Sequence, residues 1–182
     1  MYHSKRIHPD ANVFLGDSLT EWFDLEKYFP GKNVVNRGIS GDTSLGVLYR
    51  YEEILKAGPA RLFILIGIND IFQGVRGETL ISNIQSMLET LASECPATKI
   101  YLQSILPVNE TSLIAEENIN TIIYSLNRRL KKLCQDGGPI WIDLHSHFLN
   151  STGEMDPVYT HDGVHLSREG YRLWASLISD IL

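Results

Sequence analysis

Val13-Phe14-Leu15-Gly16-Asp17-Ser18-Leu19-Thr20 is the stretch on which the reading of this chain turns. Three strand-forming apolar residues run straight into a glycine, and a hydroxyl follows two positions later. A short buried strand that stops there leaves Ser18 at its carboxyl end, the edge of an open α/β sheet where ligands bind. Working outward, apolar runs of the same kind recur at residues 34–35, 62–66, 100–106 and 140–142. Helix-period stretches separate the later ones. Leu80, Ile84, Met87, Leu88 and Leu91 share one stripe, as do Ile119, Ile122, Ile123, Leu126, Leu130 and Leu133. Ser167 is placed to cap a last helix whose buried face is Leu173, Trp174, Leu177 and Ile178. Strands alternating with helices imply right-handed βαβ crossovers with helices on both faces of a parallel sheet. A three-layer α/β/α sandwich of about five strands is expected.

At 182 residues the chain suits one domain, 1–182, with a sizeable core, and is short for two. Pro30-Gly31, Gly58-Pro59 and Gly137-Gly138-Pro139 each punctuate the approach to a strand, and nothing resembles an interdomain linker. The longest irregular pieces, 107–113 and 150–162, both follow strands and are expected to wall a cleft. The formal net charge of −6 and the absence of a basic block argue against a nucleic-acid partner, whose phosphates require clustered Lys and Arg. The densest basic group, Arg128-Arg129 with Lys131-Lys132, reads as a solvated helix face. Cys95 and Cys134 lie in no metal-like or redox-like spacing and read as two buried thiols. The opening Met1-Tyr2-His3-Ser4-Lys5-Arg6 carries no apolar stretch after its basic residues, and no run approaches a membrane span. A cytoplasmic location without membrane insertion is the resulting expectation.

A serine hydroxyl is a weak nucleophile near neutral pH and needs an adjacent base. A histidine serves when its other ring nitrogen donates to a carboxylate that fixes its tautomer. Asp162-Gly163-Val164-His165 can bring carboxylate and imidazole together in one turn, leaving the second ring nitrogen to face Ser18. Charge developing on a carbonyl oxygen needs donors placed in advance. The main-chain N–H of Ser18, that of Gly41 in Asn36-Arg37-Gly38-Ile39-Ser40-Gly41-Asp42, and the amide of Asn69 in Gly67-Ile68-Asn69-Asp70 all follow strands at the same sheet edge. The ordered set reads as a serine esterase: Ser18, Asp162 and His165 catalytic, with Ser18, Gly41 and Asn69 as the oxyanion hole.

Rivals are weaker. Ser40 fails the G-x-S-x-G pattern because Asp42 stands where the last glycine is required. Asp17, Asp42 and Asp70 read as carboxylates that accept from loop or helix-start N–H groups. His145, His147, His161 and His165 match no fixed zinc spacing. His161 competes with His165 for the role of base, but as the immediate neighbour of Asp162 on an extended loop it points away. Trp22, Phe72 and Tyr159 flank the blocks, with packing roles at least as well supported as pocket roles. A non-catalytic α/β binding or scaffold module is the reading from another class.

These residues resemble the SGNH hydrolases, or GDSL lipase/esterase family. The resemblance rests on Gly16-Asp17-Ser18-Leu19, on Gly38 to Gly41, on Gly67-Ile68-Asn69-Asp70 and on Asp162 to His165, in that order. The stretch from Asn36 to Ser44, with Leu106-Pro107 later, is similar to the branch containing the catalytic subunits of intracellular platelet-activating factor acetylhydrolase. The resemblance implies a flavodoxin-like sheet of order 2-1-3-4-5 and the roles above for Ser18, His165, Asp162, Gly41 and Asn69. It implies no metal and no organic cofactor. The expected substrate is a small-molecule ester with a short acyl group. Carbohydrate O-acetylesterase and lysophospholipase or thioesterase activities are alternatives, and a homodimer is left open beside a monomer.

Overall fold

The strands alternate their side chains between two separate cores. The computed structural model describes residues 6–113, 118–135 and 137–182; of the basic opening, residues 1–5 lie outside them. Five parallel strands, β1 (Asn12–Gly16), β2 (Val34–Gly38), β3 (Arg61–Leu65), β4 (Lys99–Gln103) and β5 (Ile140–Ile142), pair in the order β2-β1-β3-β4-β5. Val13, Leu15, Leu62, Ile64 and Leu102 point into one core. Phe14, Phe63 and Tyr101 point into the other. Because Phe14 lies opposite Phe63 and Phe63 opposite Tyr101 in register, the three rings stack across the sheet at 4.6 and 4.7 Å. Strands buried on both faces have no reason to alternate polar with apolar, which is why they read as continuous apolar runs.

Helices α1 (Ser18–Glu21), α2 (Leu25–Tyr28), α3 (Ser44–Arg50), α4 (Glu52–Ala57), α5 (Ile68–Phe72), α6 (Gly77–Glu94), α7 (Glu110–Leu113), α8 (Ile119–Lys132) and α9 (Arg168–Ile178) fill the connections. The first core takes Val47 of α3, Ile54 of α4, the Leu80–Leu91 stripe of α6 and Ile119, Ile123, Leu126 and Leu130 of α8. The second takes Leu19 of α1, Leu25 of α2 and Tyr171, Trp174, Ala175 and Ile178 of α9. The crossover leaving β1 therefore lies on one face of the sheet, and the next one, leaving β2 for β3, on the other. Neighbouring connections that diverge to opposite faces open a crevice at the carboxyl end of β1, the switch point of the sheet. The α/β/α sandwich and strand order agree with expectation.

Several boundaries moved. Ile122 is exposed, because Asn127 on the opposite border of the α8 stripe pairs its amide with the N–H and carbonyl of Ile105 (2.8 Å each) and turns the helix toward itself. The same pair ends β4 at Gln103 rather than at residue 106, since the main chain of Ile105 is given to a side chain. Cys95 is buried, but Cys134, just past the last turn of α8, is only half-buried. Ser167 caps α9 by accepting from the Gly170 N–H at 3.1 Å. Trp174 and Ile178 are buried in that helix, whereas Leu173 and Leu177 are half-buried at its border. Among the described residues no helix is long and apolar enough to cross a membrane.

Candidate active site

β1 ends at Gly16, where a Cβ would meet the Leu65 carbonyl and the Thr20 hydroxyl at 2.3 Å each. The next residue, Asp17, caps α1 by accepting from the Leu19 N–H at 3.0 Å. Ser18 is thereby fixed as the first residue of a one-turn helix at the switch point. It is 6% exposed, and its Oγ lies 3.1 Å from His165 Nε2.

His165 arrives on a closed loop. Thr160 bridges Leu166 antiparallel, and the His165 carbonyl accepts from the His161 N–H (3.0 Å) and the Thr160 hydroxyl (2.9 Å). Inside the loop, Asp162 Oδ1 accepts from the N–H groups of Val164 (2.9 Å) and His165 (2.8 Å). Its other oxygen, Oδ2, meets His165 Nδ1 at 2.6 Å. Desolvation pulls the Asp162 carboxyl up, but the hydrogen bonds from His165 and Val164 outweigh it and hold it below the usual range. Gly163 has φ +95°, and a Cβ there would lie 2.9 Å from the Asn109 carbonyl. The two irregular stretches meet at this point: Asn109 donates to the carbonyls of Gly163 and Met155 at 2.8 Å each. The structure brings His165, not His161, to Ser18.

Gly41 occupies the third position of a turn closed by Asp42 N–H on the Ile39 carbonyl at 3.1 Å, with φ +79°. Ser40 before it does not have positive φ, so the turn is type II, which favours glycine there. Asn69 sits in the first turn of α5 and donates its amide to the Asp42 carbonyl at 2.9 Å. Asp42 also accepts from the Thr43 N–H (3.0 Å) and from Arg50 Nε (2.6 Å). Arg50 Nη2 reaches back to the Gly16 carbonyl at 2.9 Å. One guanidinium thus joins the end of the Ser18 strand to the loop carrying Gly41, and that loop in turn accepts from Asn69 of α5. Asp70 accepts from the N–H and hydroxyl of Ser44 at 2.8 and 2.5 Å, so all three carboxylates bind helix-start or loop donors, as read. Ser40 is spent: its N–H and hydroxyl both donate to Glu21 Oε2.

Burial pushes the carboxyl of Asp17 up to about 7, opposed by the hydrogen bond from Leu19. Its Oδ2 is buried without a hydrogen-bond partner among the described residues. Burial likewise holds His145 below its ordinary value. Among the described residues no three His, Cys, Asp or Glu side chains group as metal ligands.

Of the three flanking aromatics Trp22, Phe72 and Tyr159, Trp22 touches the histidine of the site. Its indole stacks on the His165 ring, centroids 4.3 Å apart and planes inclined by 23°. The available signal was spacing: four residues after Ser18 on one helical turn, the two side chains share a face. Arg50 gave no comparable signal, since nothing in its local sequence ties it to β1. Phe72 is exposed, and Tyr159 packs edge-on against Phe148 at 5.4 Å.

The chain is similar to several known proteins. It is 28% identical over 175 residues to the N-acylneuraminate cytidylyltransferase of Streptococcus agalactiae serotype V, covering 96% of this chain but only 39% of that protein. It is 27% identical over 182 residues to platelet-activating factor acetylhydrolase IB subunit alpha1 of Bos taurus, covering 92% of this chain and 72% of the relative. Among solved structures, a protein from Streptococcus pneumonia provisionally named a platelet activating factor superposes with a TM-score of 0.88 at 30% identity, covering 98% of this chain and 86% of that one. The sequence profile of one family runs from residue 14 to residue 173, across β1, the loops of Gly41 and Asn69, and the Asp162–His165 loop. This chain belongs to the GDSL-like lipase/acylhydrolase family.

Proposed function

We propose that this chain is a serine esterase that removes small acyl groups, acetyl foremost, through an acyl-enzyme. The observation that carries the reading is the continuous line from Ser18 Oγ to His165 Nε2 (3.1 Å) and from His165 Nδ1 to Asp162 Oδ2 (2.6 Å). With Asp162 ionised and accepting from Nδ1–H, Nε2 is unprotonated and can take the Ser18 proton. Ser18 Oγ attacks the ester carbonyl carbon as its proton passes to Nε2, and the carbonyl π electrons move onto oxygen. The N–H groups of Ser18 and Gly41 and the second amide hydrogen of Asn69 stabilise that oxyanion; the first is held by Asp42. As the carbonyl re-forms, the C–O bond to the alcohol breaks and the alcohol leaves with the proton from Nε2. Water then attacks the acyl carbon with His165 again as base, releasing the acid and Ser18.

Two features favour a short acyl group. Ser18 is 6% exposed, so the carbonyl must reach a recessed hydroxyl. The bovine relative is named an acetylhydrolase. A series of p-nitrophenyl esters from acetate to decanoate tests both parts of the proposal. Expected is highest kcat/KM for acetate and loss of turnover in Ser18→Ala. Preference for decanoate contradicts the acyl assignment, and unchanged turnover in Ser18→Ala contradicts the nucleophile.

A further inference from the structure

The His165 ring is bonded at Nδ1 by a carboxylate that is itself largely in water: the His165 side chain is 27% exposed and that of Asp162 54%. Hydrogen bonds at Nδ1 and Nε2 fix the two nitrogens but allow the ring to rock about the line between them. Something must limit that motion on the face of the ring. The only aromatic ring stacked on it among the described residues is Trp22, at 4.3 Å between centroids.

Trp22 is well anchored for this. It terminates α1, donating its N–H to the Ser18 carbonyl at 3.0 Å, so nucleophile and indole ride on the same turn. The imidazole bridges them, one nitrogen at the hydroxyl and one face on the indole. Yet Trp22 is 53% exposed, an uneconomical placement for a large aromatic whose work is core packing.

We infer that Trp22 is a positioning residue of this site: its indole holds the His165 ring in line with Ser18 and stabilises the positive charge that ring gains on taking the hydroxyl proton. The inference rests on the assignment of Ser18 as nucleophile and His165 as base. A cation over the face of an indole within about 6 Å of its centroid is attracted by the ring quadrupole. The attraction is small for an uncharged imidazole and grows as the proton moves onto it. An interaction stronger in the transition state than in the ground state raises kcat and leaves KM nearly alone.

The test compares wild type, Trp22→Phe, Trp22→Leu and Ser18→Ala on p-nitrophenyl acetate, with kcat and KM separated. Expected for Trp22→Leu is a kcat about 2- to 30-fold lower with KM within about twofold, and for Trp22→Phe recovery of most of the loss. The ring protons of His165 in wild type, assigned by their absence in His165→Gln, should resonate upfield from the indole ring current and move back in Trp22→Leu. A KM increase with kcat intact makes Trp22 a substrate wall and overturns the inference. So does a Phe variant as slow as the Leu variant. A wild-type His165 ring without the upfield shift overturns it whether or not the variants fold. Absence of Ser18-dependent turnover in wild type overturns the underlying assignment instead, and the Trp22 inference with it.

Discussion

Asn69 donates its side-chain amide to the main-chain carbonyl of Asp42 at 2.9 Å, so the loops after β2 and β3 are one unit. Asp42 is the hub of that unit: its carboxylate is held by Arg50 at 2.6 Å, and Arg50 also holds the Gly16 carbonyl at the end of β1. In the proposed mechanism, the Asp42 and Arg50 side chains thereby set the oxyanion donors relative to Ser18.

Removing the amide should be expensive in rate. Asn69→Ala is expected to lower kcat by ~10²–10³ with little change in KM, as for the loss of one oxyanion donor. Steady-state kinetics on p-nitrophenyl acetate check this; a kcat within threefold of wild type removes Asn69 from the role.

Arg50 and Asp42 are mostly buried, at 16% and 10% side-chain exposure. Taking away one partner leaves a charge stranded out of water, which costs about 3–5 kcal/mol when burial is complete. Arg50→Met is expected to lose about 3 kcal/mol in denaturant unfolding and at least about tenfold in kcat as the two loops drift. Arg50→Lys keeps the charge but cannot span both acceptors, so it should restore stability more than rate. Equal recovery of both contradicts the role of the guanidinium as a two-point tie.

How much of this was legible follows from where each signal resides. The strands could be read because both faces of the sheet are buried, which makes residues 13–15 and 62–66 apolar without interruption. Ser18, Gly41, Asn69, Asp162 and His165 could be placed because each follows a strand or precedes the last helix, and a parallel sheet puts those points on one edge. Arg50 could not, because its partners, Gly16 and Asp42, become neighbours only once β1 and β2 pair. Trp22 was half legible: its spacing from Ser18 is local, but the ring it covers comes from 143 residues further along the sequence. Ile122 was misplaced because periodicity does not register that Asn127 would be drawn inward by the main chain of Ile105.

Gly38 has a different constraint from the turn glycines. It closes β2 against α1, and a Cβ there would lie 2.1 Å from the Glu21 nitrogen and 2.6 Å from its Cα. Backbone cannot yield as a side-chain tip can, so Gly38→Ala should cost about 1–3 kcal/mol and shift the turn that carries Ser18. Circular-dichroism melts and kcat/KM measured well below the melting point separate the two effects. A variant with wild-type stability and wild-type rate contradicts the close packing.

Asp17 gives a pH signature of stability. Burial raises its carboxyl from 3.8 to about 7 in the native state, so between those values the native protein holds a proton that the unfolded chain has released. The associated stability is fully present below about pH 4 and is lost as pH rises through 7. Asp17→Asn cannot ionise and escapes that loss. Relative to wild type it should gain up to about 4 kcal/mol between pH 4 and pH 8. Parallel stability-versus-pH curves for the two proteins would show that Asp17 does not titrate in this window.

The most direct test of the central claim is mass spectrometry of the intact protein after exposure to a fluorophosphonate, followed by peptide mapping. A hydroxyl activated by an imidazole at 3.1 Å should take up one phosphonyl group on the peptide containing Ser18. Ser18→Ala should take up none there, and His165→Ala should react far more slowly. A folded wild-type protein that stays unlabelled, or that carries the adduct on another residue, contradicts the account.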